Sequence, residues 1–119
     1  MNPQNLKIDA HGLRWGWDKL GAPNPIPPEQ IAAAADWIAR HTLPAATICI
    51  RNTSYGLKHA VENWTEHHGG KVYTSNGAFI QAAVNAGIPL VIQEGHVNCM
   101  FKMKYIDRAT KRSALCLPF

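Results

Sequence analysis

Apolar residues recur at helical spacing three times along the chain. Ile31, Ala34, Ala35 and Ile38 form the first series, with Pro28 suited to a first helical turn and Leu43-Pro44 stopping the run. Leu57, Ala60, Val61 and Trp64 form the second. Thr53 or Ser54 opens it, because a hydroxyl accepts from the free amides of a first turn, and Gly69-Gly70 closes it, because glycine tolerates the backbone angles of a helix end. Lys58 and Glu62, four apart, are expected on the wet side of this helix. Phe79, Ile80, Ala83 and Val84 form the third series, capped by Ser75 and ended by Gly87 and Pro89.

The remaining apolar segments read as strands. Ala46 to Arg51 is short and β-branched. Residues 90–92 (LVI) read as a buried strand, 93–96 (QEGH) as a turn, and 97–106 as a strand of period two. Val97, Cys99, Phe101, Met103 and Tyr105 share one face of that strand, and Asn98, Met100, Lys102, Lys104 and Ile106 share the other. Helix, short strand, helix, helix and hairpin is the connectivity of a winged helix. The expected fold is therefore α+β and winged-helix-like, three helices with a short strand and a C-terminal β-hairpin; an unrelated α+β packing of the same elements is the alternative. Residues 1–27, rich in proline towards their end, are expected to form an N-terminal arm whose Leu13, Trp15, Trp17 and Leu20 fold back on the body. Residues 28–119 are expected to form the domain, with a basic C-terminal segment.

A chain of 119 residues suits one core, and 46% hydrophobic with 17% charged residues is a globular composition. No apolar run is long enough to span a bilayer, and the first residues lack the pattern of a signal peptide, so the expected compartment is the cytoplasm without membrane contact. Cys49, Cys99 and Cys116 are widely spaced and odd in number, which points to free thiols. The net charge of +4 is local: residues 1–101 hold seven basic and seven acidic residues, and the excess is Lys102, Lys104, Arg108, Lys111 and Arg112 against Asp107.

That cluster changes the functional picture, because lysine and arginine on a hairpin contact phosphates without reading bases. A solvated tail is the plain alternative. The third helix offers Asn76, Gln81 and Asn85 but no cation, so it lacks the common arginine contact to guanine. The six histidines and three cysteines show no paired ligand spacing beyond His96 with Cys99, and no metal or other cofactor is expected. The acids are scattered singly and no nucleophile motif or phosphate loop is present, which argues against an enzyme; a small metal-dependent enzyme keeps low weight.

Residues 53–64 (TSYGLKHAVENW), 73–88 (YTSNGAFIQAAVNAGI) and 95–101 (GHVNCMF) resemble a family of small proteins encoded by phages and other mobile elements. Tyr55, Gly56, Leu57, Lys58 and His59 fit one recurring block, Ser75 to Ile80 a second, and Asn98 with Phe101 a third. The resemblance covers about half the chain and implies a mobile-element setting, in which small accessory proteins of anti-CRISPR type inhibit host defence stoichiometrically. Leu57, Phe79 and Ile80 need only a core role. Lys58 and His59 beside the second helix, and Asn76 at the amino end of the third, form either a binding surface or a capping network. The expectation is a binding protein without turnover, its partner a host protein or nucleoprotein complex. A DNA-binding regulator on duplex DNA is the alternative. Oligomerisation through Trp15, Trp17 or Trp37 is open if the arm leaves them uncovered.

Overall fold

A computed structural model of the chain describes residues 7–15, 23–48, 50–107 and 112–114, with the backbone alone for 107 and 112–114. The architecture is mixed α and β. Its elements in chain order are β1 (Lys7–Asp9), β2 (Gly12–Arg14), α1 (Pro28–His41), β3 (Thr42–Pro44), α2 (Ser54–His67), α3 (Asn76–Asn85), β4 (Leu90–Val91), β5 (Met100–Phe101), β6 (Met103–Asp107) and β7 (Arg112–Ala114). The strands form small antiparallel sheets: β1 with β2, β4 with β5, and β3-β6-β7.

α3 lies at the centre. It packs against α1, α2 and the β1–β2 hairpin, and seven of its ten residues are buried: Asn76 to Ile80, Ala82 and Ala83. Phe79 meets Trp37 of α1 and Phe101 of β5 edge-on, at centroid distances of 5.9 and 5.3 Å. Val84, expected inward, is exposed, because the core covers the amino-terminal half of the helix and leaves its last turn open. Ser75 caps α3 as its position suggests, its hydroxyl accepting from Ala78 N at 3.1 Å.

α1 starts at Pro28 and buries Ala34, Trp37 and Ile38. Ala35 is exposed, since Trp37 takes the inward position on that stripe. The strand expected at Ala46–Arg51 forms earlier. The Thr42 hydroxyl closes α1 on the Ile38 carbonyl (2.8 Å), and the chain passes directly into β3, paired Thr42↔Tyr105 and Leu43↔Lys104. Residues 45–48 and 50–53 carry no regular structure, and of those described only Ile50 enters the core. Cys49 lies outside the described residues.

α2 buries Leu57, Ala60 and Val61. The Ser54 hydroxyl does not cap it. Ser54 instead ties α2 to the strand region, its N–H donating to Cys99 O (2.8 Å) and its hydroxyl accepting from Cys99 N (3.2 Å). Lys58 and Glu62 are buried, not wet, because Tyr73, Thr74 and the start of α3 close over that side of the helix.

Of the strand expected over 97–106, residues 97–99 carry no regular structure and the remainder breaks at Lys102. Its N–H donates to Pro89 O (2.9 Å) and its carbonyl accepts from Ala45 N (3.0 Å), so the chain leaves β4 and joins β3 at this residue. The alternation holds across the break for Cys99, Phe101 and Met103, which are buried, and fails beyond it: Ile106, expected on the opposite face, is buried, while Tyr105 is half-buried. Beyond it, β7 pairs with β6 from Tyr105↔Ala114 to Asp107↔Arg112, so part of the basic segment is a strand.

The arm covers the core. Leu13 and Trp15 are buried, and Trp15 Nε1 donates to His96 O at 2.9 Å. Trp17 and Leu20 lie outside the described residues. Asp9 knots the hairpin, accepting from His11 N (2.9 Å), Asn24 N (3.1 Å) and Arg14 Nη1 (3.1 Å). Burial works to raise the Asp9 carboxyl, and the two backbone amides with Arg14 outweigh it and hold it below its ordinary value. Among the described residues no helix is long and apolar enough to cross a membrane.

Candidate binding cleft

The first turns of α2, the start of α3, the β1–β2 turn and residues 97–98 enclose a cleft of about 470 Å³. Lys58, Tyr55, Tyr73, Asn76, Asn98 and His11 line it. Four segments distant in sequence therefore converge.

Lys58 is 6% exposed. Its Nζ stands 3.6 Å from Glu62 Oε2, 4.6 Å from the Tyr73 ring centroid and 5.4 Å from that of Tyr55. A buried ammonium needs compensation by a counter-charge or π faces, and this one has both. Glu62 is satisfied in turn: Oε2 accepts from Thr74 N (3.2 Å), and Oε1 lies 3.0 Å from His59 Nδ1. His59 is exposed at the rim and meets the Tyr55 ring edge-on at 4.7 Å.

Asn76 neither caps α3 nor presents its end to an anion. Its Nδ2 donates to His11 O (3.0 Å), Val97 O (3.4 Å) and Asn98 Oδ1 (2.8 Å), which locks the hairpin and the 97–98 segment onto α3. The helix amides are consumed as well: Gly77 N donates to Ala10 O, Ala78 N to the Ser75 hydroxyl and Phe79 N to Ser75 O. Asn76 Oδ1 is buried without a partner among the described residues. An orphaned acceptor of this kind costs about 1–3 kcal/mol.

The other expected contact residues lie apart from these. Gln81 and Asn85 sit on the outer side of α3, where Gln81 Nε2 donates to Asn85 Oδ1 at 2.9 Å. Lys102 is exposed and Lys104 half-buried on the ribbon. Arg108 and Lys111 lie outside the described residues, as does the Arg112 side chain. Tyr73, Glu62 and His11 were not singled out as contacts from the sequence. The spacing of Tyr55, Lys58 and Glu62 along one side of α2 was the available signal.

A second, more apolar cleft of about 330 Å³ opens between α1, α2 and β6. There the His41 ring lies nearly parallel to Trp37 and Tyr105, at 5.2 and 6.0 Å, and Trp64 meets it edge-on. No group of three or more His, Cys, Asp or Glu residues able to hold a metal occurs among the described residues. Cys99 is buried, and burial pushes its thiol up to about 12, against a smaller lowering by the Ser54 hydroxyl. No family model matches the chain, and no curated protein or solved structure matches it either.

Proposed function

We propose that this chain is a non-catalytic binding protein of a mobile element that occupies a nucleic-acid or nucleoprotein surface without turnover. Within that class it acts as a stoichiometric inhibitor of host nucleic-acid or defence machinery, of anti-CRISPR type, in the cytoplasm. The observation that carries the reading is the state of the ribbon lysines. Lys102 is exposed at the β5–β6 junction and Lys104 is half-buried on β6, and neither has an ion pair among the described residues. The acidic partners of the ion pairs found there are Asp9, Asp36 and Glu62, which serve Arg14, Arg40, Lys58 and His59. A cationic ledge on a hydrogen-bonded ribbon attracts phosphate or an acidic protein surface at little ordering cost.

The winged-helix reading belongs to this proposal. Its support is the order α1, β3, α2, α3, β4–β6, with β3 paired to β6 and β4 to β5. The inhibitor is preferred over a regulator on duplex DNA because of α3. A groove-reading helix contacts bases from its amino-terminal end. Here that end lies beneath the β1–β2 hairpin, and the outward amides of Gln81 and Asn85 are bonded to each other.

The test is affinity capture from host lysate, with and without nuclease, of the wild-type chain beside Lys102→Glu/Lys104→Glu. A partner retained after nuclease digestion and lost on charge reversal is the expected result. Capture that disappears with nuclease, together with duplex binding that weakens steeply with salt, supports the regulator instead. Capture indifferent to charge reversal removes the ledge from the mechanism.

A further inference from the structure

The Lys58 cleft lies apart from the ribbon lysines, neither of which lines it. Its ammonium has three donors, yet no acceptor lies within hydrogen-bonding distance among the described residues: the nearest carboxylate oxygen, Glu62 Oε2, is at 3.6 Å, and the other neighbours are ring faces. Those rings are open to the outside, Tyr55 being 52% and Tyr73 61% exposed. Asn76 lines the same cleft, and its buried Oδ1 has no donor among the described residues. The Asn76 amide has no reason to turn over, because its Nδ2 faces three oxygens and a flip would set Oδ1 against them. Asn98 has its Oδ1 occupied by Asn76, which leaves its own amide N–H groups for a ligand.

These unmet groups define a ligand with an anionic end, a flat ring and an N–H donor. Inorganic phosphate would serve Lys58 and leave the tyrosines and the Asn76 acceptor unused. An acidic peptide side chain would reach Lys58 without stacking, and an uncharged aromatic would leave the ammonium unmet. We propose that the cleft binds a nucleoside phosphate. The phosphate lies on Lys58 with the Asn98 amide, the base stacks on the exposed tyrosine faces, and a base N–H supplies Asn76 Oδ1 directly or through a water. Glu62 is the opposing charge at this spot, and its oxygens are taken up by Thr74 N and His59. The nucleotide is either free or the terminal residue of a single strand, since the chemistry offered is the same.

The experiment is calorimetric titration of the full chain with adenosine 5′-monophosphate, adenosine and inorganic phosphate, then with short single strands with and without a 5′-phosphate. The monophosphate or the phosphorylated strand is expected to bind at least tenfold more tightly than adenosine, phosphate or the unphosphorylated strand. Binding of the phosphorylated strand alone identifies a strand end as the source. Tyr73→Ala, at an exposed ring, should weaken adenosine 5′-monophosphate binding about tenfold, and Lys58→Gln should abolish it. If Lys58→Gln does not fold, Tyr73→Ala decides. The proposal falls if the nucleotides bind no better than adenosine or phosphate, if none binds, or if a stably folded Tyr73→Ala binds like wild type. Failure of the lysine ledge appears in lysate capture and leaves the adenosine 5′-monophosphate titration untouched.

Discussion

Gly77 at the start of α3 lies against the backbone of Asp9, so closely that a Cβ built on Gly77 overlaps the Asp9 carbonyl. The Gly77 amide donates to Ala10 O at 3.2 Å, which places the β1–β2 hairpin directly on the helix end. Neither side of this contact is a flexible side chain, so neither gives way cheaply. Gly77→Ala should cost about 3 kcal/mol and lower the melting temperature by roughly 10 °C, read by calorimetry. A variant melting within about 2 °C of wild type would remove the close docking of the hairpin.

The same hairpin makes stability depend on acid through Asp9. Its carboxyl is held below its ordinary value in the folded chain. A group depressed in this way stabilises fully above its unfolded pKa, about 3.9, and loses that contribution as pH falls through the lower folded value. At pH 7, Asp9→Asn should cost about 1–3 kcal/mol through weakened bonds to His11 N, Asn24 N and Arg14. The gap between the two proteins in urea midpoint should shrink as pH drops below about 4. A gap that stays constant down to pH 2 would show that the Asp9 charge does not matter.

The helices were legible because helix periodicity and helix ends are local properties: Ser75 caps α3, and Gly87, at φ 78, lets the chain leave it. Strand pairing is not local. Among the described residues the β-branched run at 46–51 forms no strand, though Ile50 N donates to Met103 O, whereas Thr42–Pro44, with a proline at its end, pairs with β6. The face alternation of 99–103 could be read, but not the break at Lys102, which arises because Pro89 and Ala45 engage opposite sides of one residue. In the cleft, Lys58 and Asn76 stood out as hard to explain by packing. Their surroundings did not, since a Lys-Glu pair four apart looks the same in sequence on a wet helix face and under a covering tyrosine. Arg40 with Asp36 is the exposed version of that pair, and Lys58 with Glu62 the buried one.

That contrast gives a direct comparison. The Arg40–Asp36 side chains are 63% and 49% exposed, and a solvated pair of this kind contributes only about 0.3–0.5 kcal/mol. Glu62→Ala strands the Lys58 ammonium and removes the acceptor of Thr74 N, for an expected loss of about 3 kcal/mol. Urea denaturation of Asp36→Ala and Glu62→Ala should therefore differ severalfold in their effect. Equal losses would mean that water reaches Lys58 and Glu62 as freely as the surface pair.

Cys99 provides a test of the core itself. It is 4% exposed, and burial raises its thiol from an ordinary value of 9.0 to about 12. The thiolate is the nucleophile, and the raised thiol keeps Cys99 protonated at pH 8 in the folded chain. Iodoacetamide at pH 8 should leave the Cys99 peptide unmodified over hours and label it within minutes in denaturant, read by mass spectrometry of the digest. The sign of the linkage is opposite to that of Asp9. The unfolded thiol loses its proton first, so the folded state loses up to about 1.4 kcal/mol per pH unit relative to it as pH rises from 9 towards 12. Cys99→Ala has no proton to lose there, so the stability gap between wild type and this variant should narrow over the same range. Rapid native-state labelling of Cys99 would show that the Ser54–Cys99 junction between α2 and the strands opens readily, and would remove the rigid floor beneath both the cleft and the ribbon.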